Sequence, residues 1–278
     1  MNPTQSFKKL FDRIANSVRF RLKSRRLRLG NGTATRGAEP FKVRIAMKDV
    51  VLQFPKSERG VFEHEFGEIF LRDCYGIDLL PGDIRTVLDV GANLGLFSMA
   101  VIHRFPDVAI DSYEPNGEIE KYLRANLANF GKQPKMCAVG AMSGKVSVET
   151  SGNSLFSKTA LSDDGTTPQV AFDEAIQLLG GAVDVVKLDC EGAEWEIFKC
   201  KDAWKHVRFL VMEYHLWAKP NSTYSDVVQV LRGLGFEVTH HSPSEESTPD
   251  GFGGTFGLLH ARKRPHEQLK ELNPANGL

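Results

Sequence analysis

No apolar run in this chain of 278 residues approaches the ~18 residues that a membrane-spanning helix requires. The longest, Leu94 to Ile102, still contains Gly95 and Ser98, so a helical membrane span is excluded. Cysteine is scarce. Cys74, Cys137, Cys190 and Cys200 stand far apart with no C-x-x-C pair, which argues against a zinc site or a disulfide scaffold. The N-terminus lacks the apolar stretch of a secretory signal, so a reducing, cytoplasmic setting is expected. Charge of one sign is not in excess either, since 35 basic and 35 acidic residues cancel. A globally basic nucleic-acid binder is therefore disfavoured, and no nucleic-acid partner is expected. Hydrophobic residues at 41% are enough for a sizeable core.

The zero net charge conceals an asymmetry. Residues 1–36 hold ten Lys or Arg and a single acid, Asp12, and the remainder is correspondingly acidic. Within residues 5–29, Phe7, Leu10, Phe11, Ile14, Val18 and Leu22 recur at three- and four-residue spacing among basic residues. That is a basic amphipathic helix, suited to peripheral contact with an anionic membrane or to docking on its own domain. Residues 31–38 (NGTATRGA) have linker composition. The expected organisation is a basic helix and linker over 1–40, a hairpin and helix packed on the core over 41–80, the main domain over 81–265 and a polar tail over 266–278. The hairpin is placed by alternation at Val43, Ile45 and Met47 followed by the apolar run 50–54, with its turn at Lys48-Asp49. Residues 62–75 read as helical.

Strand and helix candidates then alternate. The strands are 86–90, 108–113, 135–139, 183–188, 209–214, 236–239 and 256–261, with helices at 95–104, 118–130, 172–179, 195–198 and 225–234. Apolar strands alternating with helices predict a doubly wound, mostly parallel α/β sheet. One short extra strand at 145–150 breaks the pattern.

The strand Val87–Val90 ends in an acid, Asp89, and runs into Gly91-Ala92-Asn93-Leu94-Gly95 and a helix start. Ligands of open α/β sheets sit at such carboxyl ends, and glycine permits close backbone approach there. A dinucleotide fingerprint needs glycine where Asn93 and Leu96 stand, and no phosphate loop is present. A nicotinamide oxidoreductase is thereby disfavoured, and a phosphate-free cofactor such as S-adenosyl-L-methionine is favoured. Asp89 suits its amino end. Glu114, at the end of the second strand, suits the two ribose hydroxyls.

Three blocks, LDVGANLGLFS (88–98), YEPNGEIEKYLRANL (113–127) and VVKLDCEGAEWEIF (185–198), resemble the FkbM family of S-adenosylmethionine-dependent methyltransferases. Segments 138–148 and 211–215 resemble it more weakly. The resemblance implies a class I methyltransferase fold with a seven-stranded sheet and methylation of a hydroxyl on a sugar, glycan or secondary metabolite. It implies cofactor contacts at Asp89, Gly91, Asn93, Gly95 and Glu114. Val139, at the end of the third strand, suits either the adenine or the core.

An alcohol acceptor needs alignment with the methyl carbon and benefits from a base. Candidates stand at the next two strand ends: Asp189 and Glu191, then Glu213 and His215. Either His215 or Asp189 is expected to be the base. Glu191 also suits a helix cap. A divalent cation, Mg²⁺ or Mn²⁺, held by Asp189, Glu191 and Glu213 is compatible with these residues, though the resemblance does not require one. Lys187 suits an ion pair with these acids. Trp195 and Trp204 suit packing, Trp217 suits packing or stacking on a sugar face, and His240 and His241 suit a solvated loop. Gly251, Gly253, Gly254 and Gly257 suit a hairpin turn. The competing reading is a degenerate domain that binds cofactor or a partner without turnover.

Overall fold

The computed structural model describes residues 21–29, 40–151, 153–162, 164–243 and 256–264. Among them, β1 (Phe41–Ile45) and β2 (Lys48–Leu52) form an antiparallel hairpin. Its turn is Ala46-Met47, at φ 46° and 66°, rather than the expected Lys48-Asp49. Two consecutive positive φ values match the turn geometry that follows the strand twist. Register explains the shift. A turn at Lys48-Asp49 would pair Met47 with Val50 and bury it, whereas Met47 is 78% exposed.

Helix α1 (Arg59–Phe66) runs into a π-helical stretch, Gly67–Arg72. Phe41 meets Phe62 and Phe66 at 5.1 and 4.9 Å between ring centroids, fixing the hairpin to the helix. Residues 21–26 are helical, and this segment is docked on its own chain. Leu27 is buried, its carbonyl accepts from Arg44 N at 2.8 Å, and Lys23 pairs with Asp78 at 2.8 Å. The first 20 residues, the 31–38 linker and the glycines at 251, 253 and 254 lie outside the described residues.

The main sheet has six strands in the order β11 (Phe236–Pro243), β12 (Phe256–Lys263), β10 (Val207–His215), β9 (Val183–Leu188), β3 (Thr86–Val90), β4 (Ala109–Tyr113). The last four run parallel, and β12 is antiparallel to both its neighbours. Strand alternation sorts side chains to two faces. Val87, Val185 and Val211 join one apolar cluster with α2 (Leu96–Arg104) and α3 (Glu120–Ala128). Leu88, Val186, Leu210 and Met212 join the other with α4 (Phe172–Leu178) and α5 (Tyr224–Gly233). The fold is thus the doubly wound class I arrangement.

Six strands replace the expected seven because the third sequence strand leaves the sheet. Lys135 bridges Tyr113, but Cys137 N–H then bonds back to Lys135 O at 2.9 Å, closing a tight turn. The strand proper is therefore β5 (Ala138–Gly140) rather than 135–139, and it pairs with β8 (Thr167–Ala171) in a second, four-stranded sheet. That sheet also contains β6 (Gly144–Ser151), the extra strand seen in the sequence, and β7 (Asn153–Leu161). His240 and His241 lie in β11, not in a loop. His241 stacks on Tyr224 at 3.6 Å and shares a 2.9 Å hydrogen bond with Tyr214 Oη.

Candidate active site

With β4 on one side of β3 and β9 on the other, chain order reverses at β3, and a crevice opens at the carboxyl ends of these strands. The β3–α2 turn supplies its floor. Gly91, Asn93 and Gly95 all have positive φ (78°, 50° and 82°). Gly91 and Ala92 N–H both bond to Tyr113 O, tying the turn to β4. A Cβ on Gly91 would stand 1.8 Å from the carbonyl oxygen of Asp189. Gly91→Ala therefore forces the end of β9 away from the turn. Its expected result is a lower melting temperature together with weakened cofactor binding, read by calorimetry.

Glu114, just beyond β4, is buried. Its two oxygens accept from Asn93 N–H and Asn116 N–H, each at 2.8 Å. Burial pushes its pKa up to about 7 against these two bonds. Val139 is buried in the second apolar cluster.

Asp89 is fully buried. Its Oδ2 accepts from Ser98 Oγ at 2.5 Å, and its Oδ1 faces Lys187 Nζ at 3.5 Å. Lys187 Nζ also lies 3.4 Å from Asp189 and donates to the carbonyl of Gly91. Burial opposes its charge, but Asp189 and Asp89 hold the ammonium above its ordinary pKa.

The other side of the crevice is built from the ends of β9 and β10. Asp189, partly exposed, accepts from Tyr75 Oη at 2.8 Å. Burial works against its ionisation, but Lys187, His215 and Tyr75 together keep its pKa below the ordinary carboxylate value. His215 is buried among three acids: Glu194 Oε1 lies 3.2 Å from Nδ1, and Glu213 and Glu191 lie 3.4 and 3.6 Å from Nε2. Burial opposes protonation there too, yet Glu194 and Glu213 raise its pKa well above the usual value. Glu191, at φ 53°, is pushed up to about 7, chiefly by burial. Glu213 is raised by burial and by Asp189. The four sequence-predicted residues are thus brought together with pKa values moved in different directions, Asp189 below and His215 above the ordinary value.

Glu191 caps no helix. The residue that bonds the Cys190 N–H, at 3.0 Å, is Glu194. The convergent set of cation-ligand types also differs from the one expected. Asp189, Glu191 and His215, rather than Glu213, offer atoms within 4.8 Å of one another. Trp195 Nε1 donates to His215 O at 3.0 Å, and Trp217 lies 5.7 Å from the His215 ring, so both are tied to the site.

The model of the methyltransferase FkbM domain matches residues 89–238. The chain belongs to the FkbM methyltransferase family. Among its relatives, methyltransferase sdnD of Sordaria araneosa is 27% identical over 72% of this chain and 89% of its own length. The 31-O-demethyl-FK506 methyltransferase FkbM of Streptomyces tacrolimicus is 26% identical over 64% of this chain and 83% of its own. Among solved structures, magnesium protoporphyrin IX methyltransferase of Synechocystis PCC 6803 covers 76% of this chain and 86% of its own at 12% identity, with a TM-score of 0.44.

The family match leaves out three residues that this FkbM methyltransferase places beside Asp189 and Glu213. Tyr75 holds Asp189, Cys74 adjoins it, and Glu65 of α1 is pushed up to about 7 by burial and then by Asp189 and Glu213. Periodicity signals a helix at 62–75 but carries no sign that it reaches the strand ends. Among the described residues, no helix is long and apolar enough to cross a membrane.

Proposed function

We propose that this methyltransferase uses S-adenosyl-L-methionine to methylate a hydroxyl of a sugar, glycan or related small metabolite, with Asp189 as the base. The observation that carries the reading is the position of a partly exposed carboxylate, its pKa held below the ordinary value, at the strand end directly against the Gly91 turn. The residues fit the cofactor. Glu114 holds two amide bonds yet is still pushed up to about 7, so two further hydroxyl donors, such as those of a ribose, complete its solvation. Asn93 N–H and Gly91 place backbone at the same rim. The bound cofactor supplies a methyl group activated by a sulfonium.

The protein then has to align the acceptor oxygen and receive its proton. Asp189 Oδ accepts that proton as the new C–O bond forms. A protonated His215 has no free lone pair to do so, and its charge helps keep Asp189 ionised. Tyr75 fixes the rotation of the carboxylate. No divalent ion is needed in this scheme, so EDTA leaves turnover unchanged.

The test is transfer of labelled methyl from S-adenosylmethionine to a panel of glycans, polyols, amines and carboxylic acids. The expected product is an alkali-stable methyl ether. Label on nitrogen, or label released by alkali as from an ester, would overturn the hydroxyl assignment. Failure of the folded protein to bind S-adenosylhomocysteine would overturn the cofactor assignment and favour the partner-binding reading.

A further inference from the structure

Lys187 stands in the fully buried half of its strand, among apolar neighbours. In β9 (VDVVKL) it follows Val185 and Val186 and ends only 2% exposed. Parallel register sets it beside Asp89 of β3, and alternation puts it on the face that Val185 and Val87 also share. An ammonium buried this deeply is strongly disfavoured unless its donors are satisfied. Here the ammonium donates to the carbonyls of Gly91 and Val90 (3.3 Å to the latter) and is flanked by two carboxylate oxygens at ion-pair distance, Asp189 Oδ2 at 3.4 Å and Asp89 Oδ1 at 3.5 Å. The Tyr75 ring lies 5.7 Å away on the remaining side, and its hydroxyl holds the same Asp189 oxygen.

These acceptors belong to two different parts of the site. Val90 and Gly91 open the cofactor turn, whereas Asp189 faces the acceptor. An ion pair serving stability alone would join Lys187 to Asp89 and stop there. The contact to the Gly91 carbonyl instead pins the one peptide that leaves the sheet at φ 78°.

We propose that Lys187 is a positioning residue whose single ammonium locks the Gly91 carbonyl of the cofactor turn to the Asp189 carboxylate. Cofactor and acceptor base are thereby held in one fixed relation. A charged hydrogen bond has a planar partner at the carbonyl and a rotatable one at the carboxylate, so losing it frees the turn and the Asp189 side chain together. Asp89 is left as a buried acid without its cation. The inference rests on the proposed function only for its turnover readout. Wild-type S-adenosylhomocysteine binding tests that function separately.

The experiment compares wild type, Lys187→Met and Lys187→Ala by calorimetric titration with S-adenosylhomocysteine and by steady-state kinetics. Lys187→Met keeps the volume and removes the charge. It is expected to weaken S-adenosylhomocysteine about 10- to 100-fold, the range of a lost charged hydrogen bond, and to lower kcat as well as raise KM for the cofactor. Lys187→Ala is expected to recover part of both losses with propylamine and none with propanol. Wild-type affinity and kcat in Lys187→Met, or equal rescue by the alcohol, would overturn the proposal in favour of packing alone. Should neither variant fold, ¹⁵N-lysine NMR of the wild type decides. A protected ammonium resonance that shifts both on S-adenosylhomocysteine binding and in Asp189→Asn supports the coupling, and one indifferent to either refutes it.

Discussion

Asp189→Asn is expected to lower kcat by about 10²- to 10⁴-fold, the range contributed by a positioned acid–base group, while leaving S-adenosylhomocysteine affinity nearly unchanged. The amide keeps the shape of the carboxylate and one oxygen to accept from Tyr75 and Lys187, so the turn stays anchored. What disappears is a group able to take the acceptor's proton. The alternative base, His215, makes a different pH signature. A neutral imidazole would give kcat an acid limb near its own titration. Asp189, held below the ordinary carboxylate value by Lys187, His215 and Tyr75 against the effect of burial, is ionised throughout the neutral range. kcat, which reports the loaded enzyme, is then expected to be flat from neutral pH down to about pH 6, well above ordinary carboxylate titration. Retained turnover in Asp189→Asn, or an acid limb that moves only in a His215 variant, returns the role to the histidine.

The gathering of the candidate residues at one crevice was largely legible because they stand at strand ends. Asp89, Gly91, Glu114, Asp189 and His215 each stand at or just beyond the carboxyl end of a strand, and a parallel sheet gathers such ends on one rim. What was not legible comes from elements that approach from elsewhere. Glu65 arrives on α1 and Tyr75 on the turn that follows the π-helical stretch, where the helix expected over 62–75 has already ended at Arg72, and the aromatic spacing of this segment reports only that it packs. The protonation of His215 depends on Glu194, which looks like an ordinary first-turn helix acid in sequence yet stands 3.2 Å from the ring. The sheet's edge was misread for a similar reason. Residues 135–139 have strand composition, and only the backbone turn from Lys135 to Cys137 decides that the segment leaves β4 after Lys135 and pairs through 138–140 with β8. The polar stretch after His240 and His241 points to a loop, whereas cross-strand pairing with β12 and the Tyr224 stack hold them in β11.

Glu114→Ala is expected to weaken S-adenosylhomocysteine by about 2–3 kcal/mol, or about 30- to 150-fold, the cost of losing a bidentate carboxylate contact. The effect should itself depend on pH, in a direction fixed by the environment of Glu114. Burial lifts its pKa to about 7 although two backbone amides favour the charged form. Its folded pKa therefore lies above the unfolded value. The stability it contributes is present at acid pH and is lost as pH rises toward and through about 7. Glu65 and Glu191 act in the same direction over the same range. Ligand binding runs the other way. The ionised carboxylate is the form that accepts from two hydroxyls, so wild-type affinity rises through about pH 7 just as the unliganded protein becomes less stable. The alanine variant lacks the titrating group, so its penalty is largest at about pH 8 and shrinks below about pH 6, where the wild type is itself protonated. Calorimetric titration of both proteins across this range checks the argument. A penalty constant with pH would mean that Glu114 holds the Asn93 and Asn116 amides in place and does not meet the cofactor.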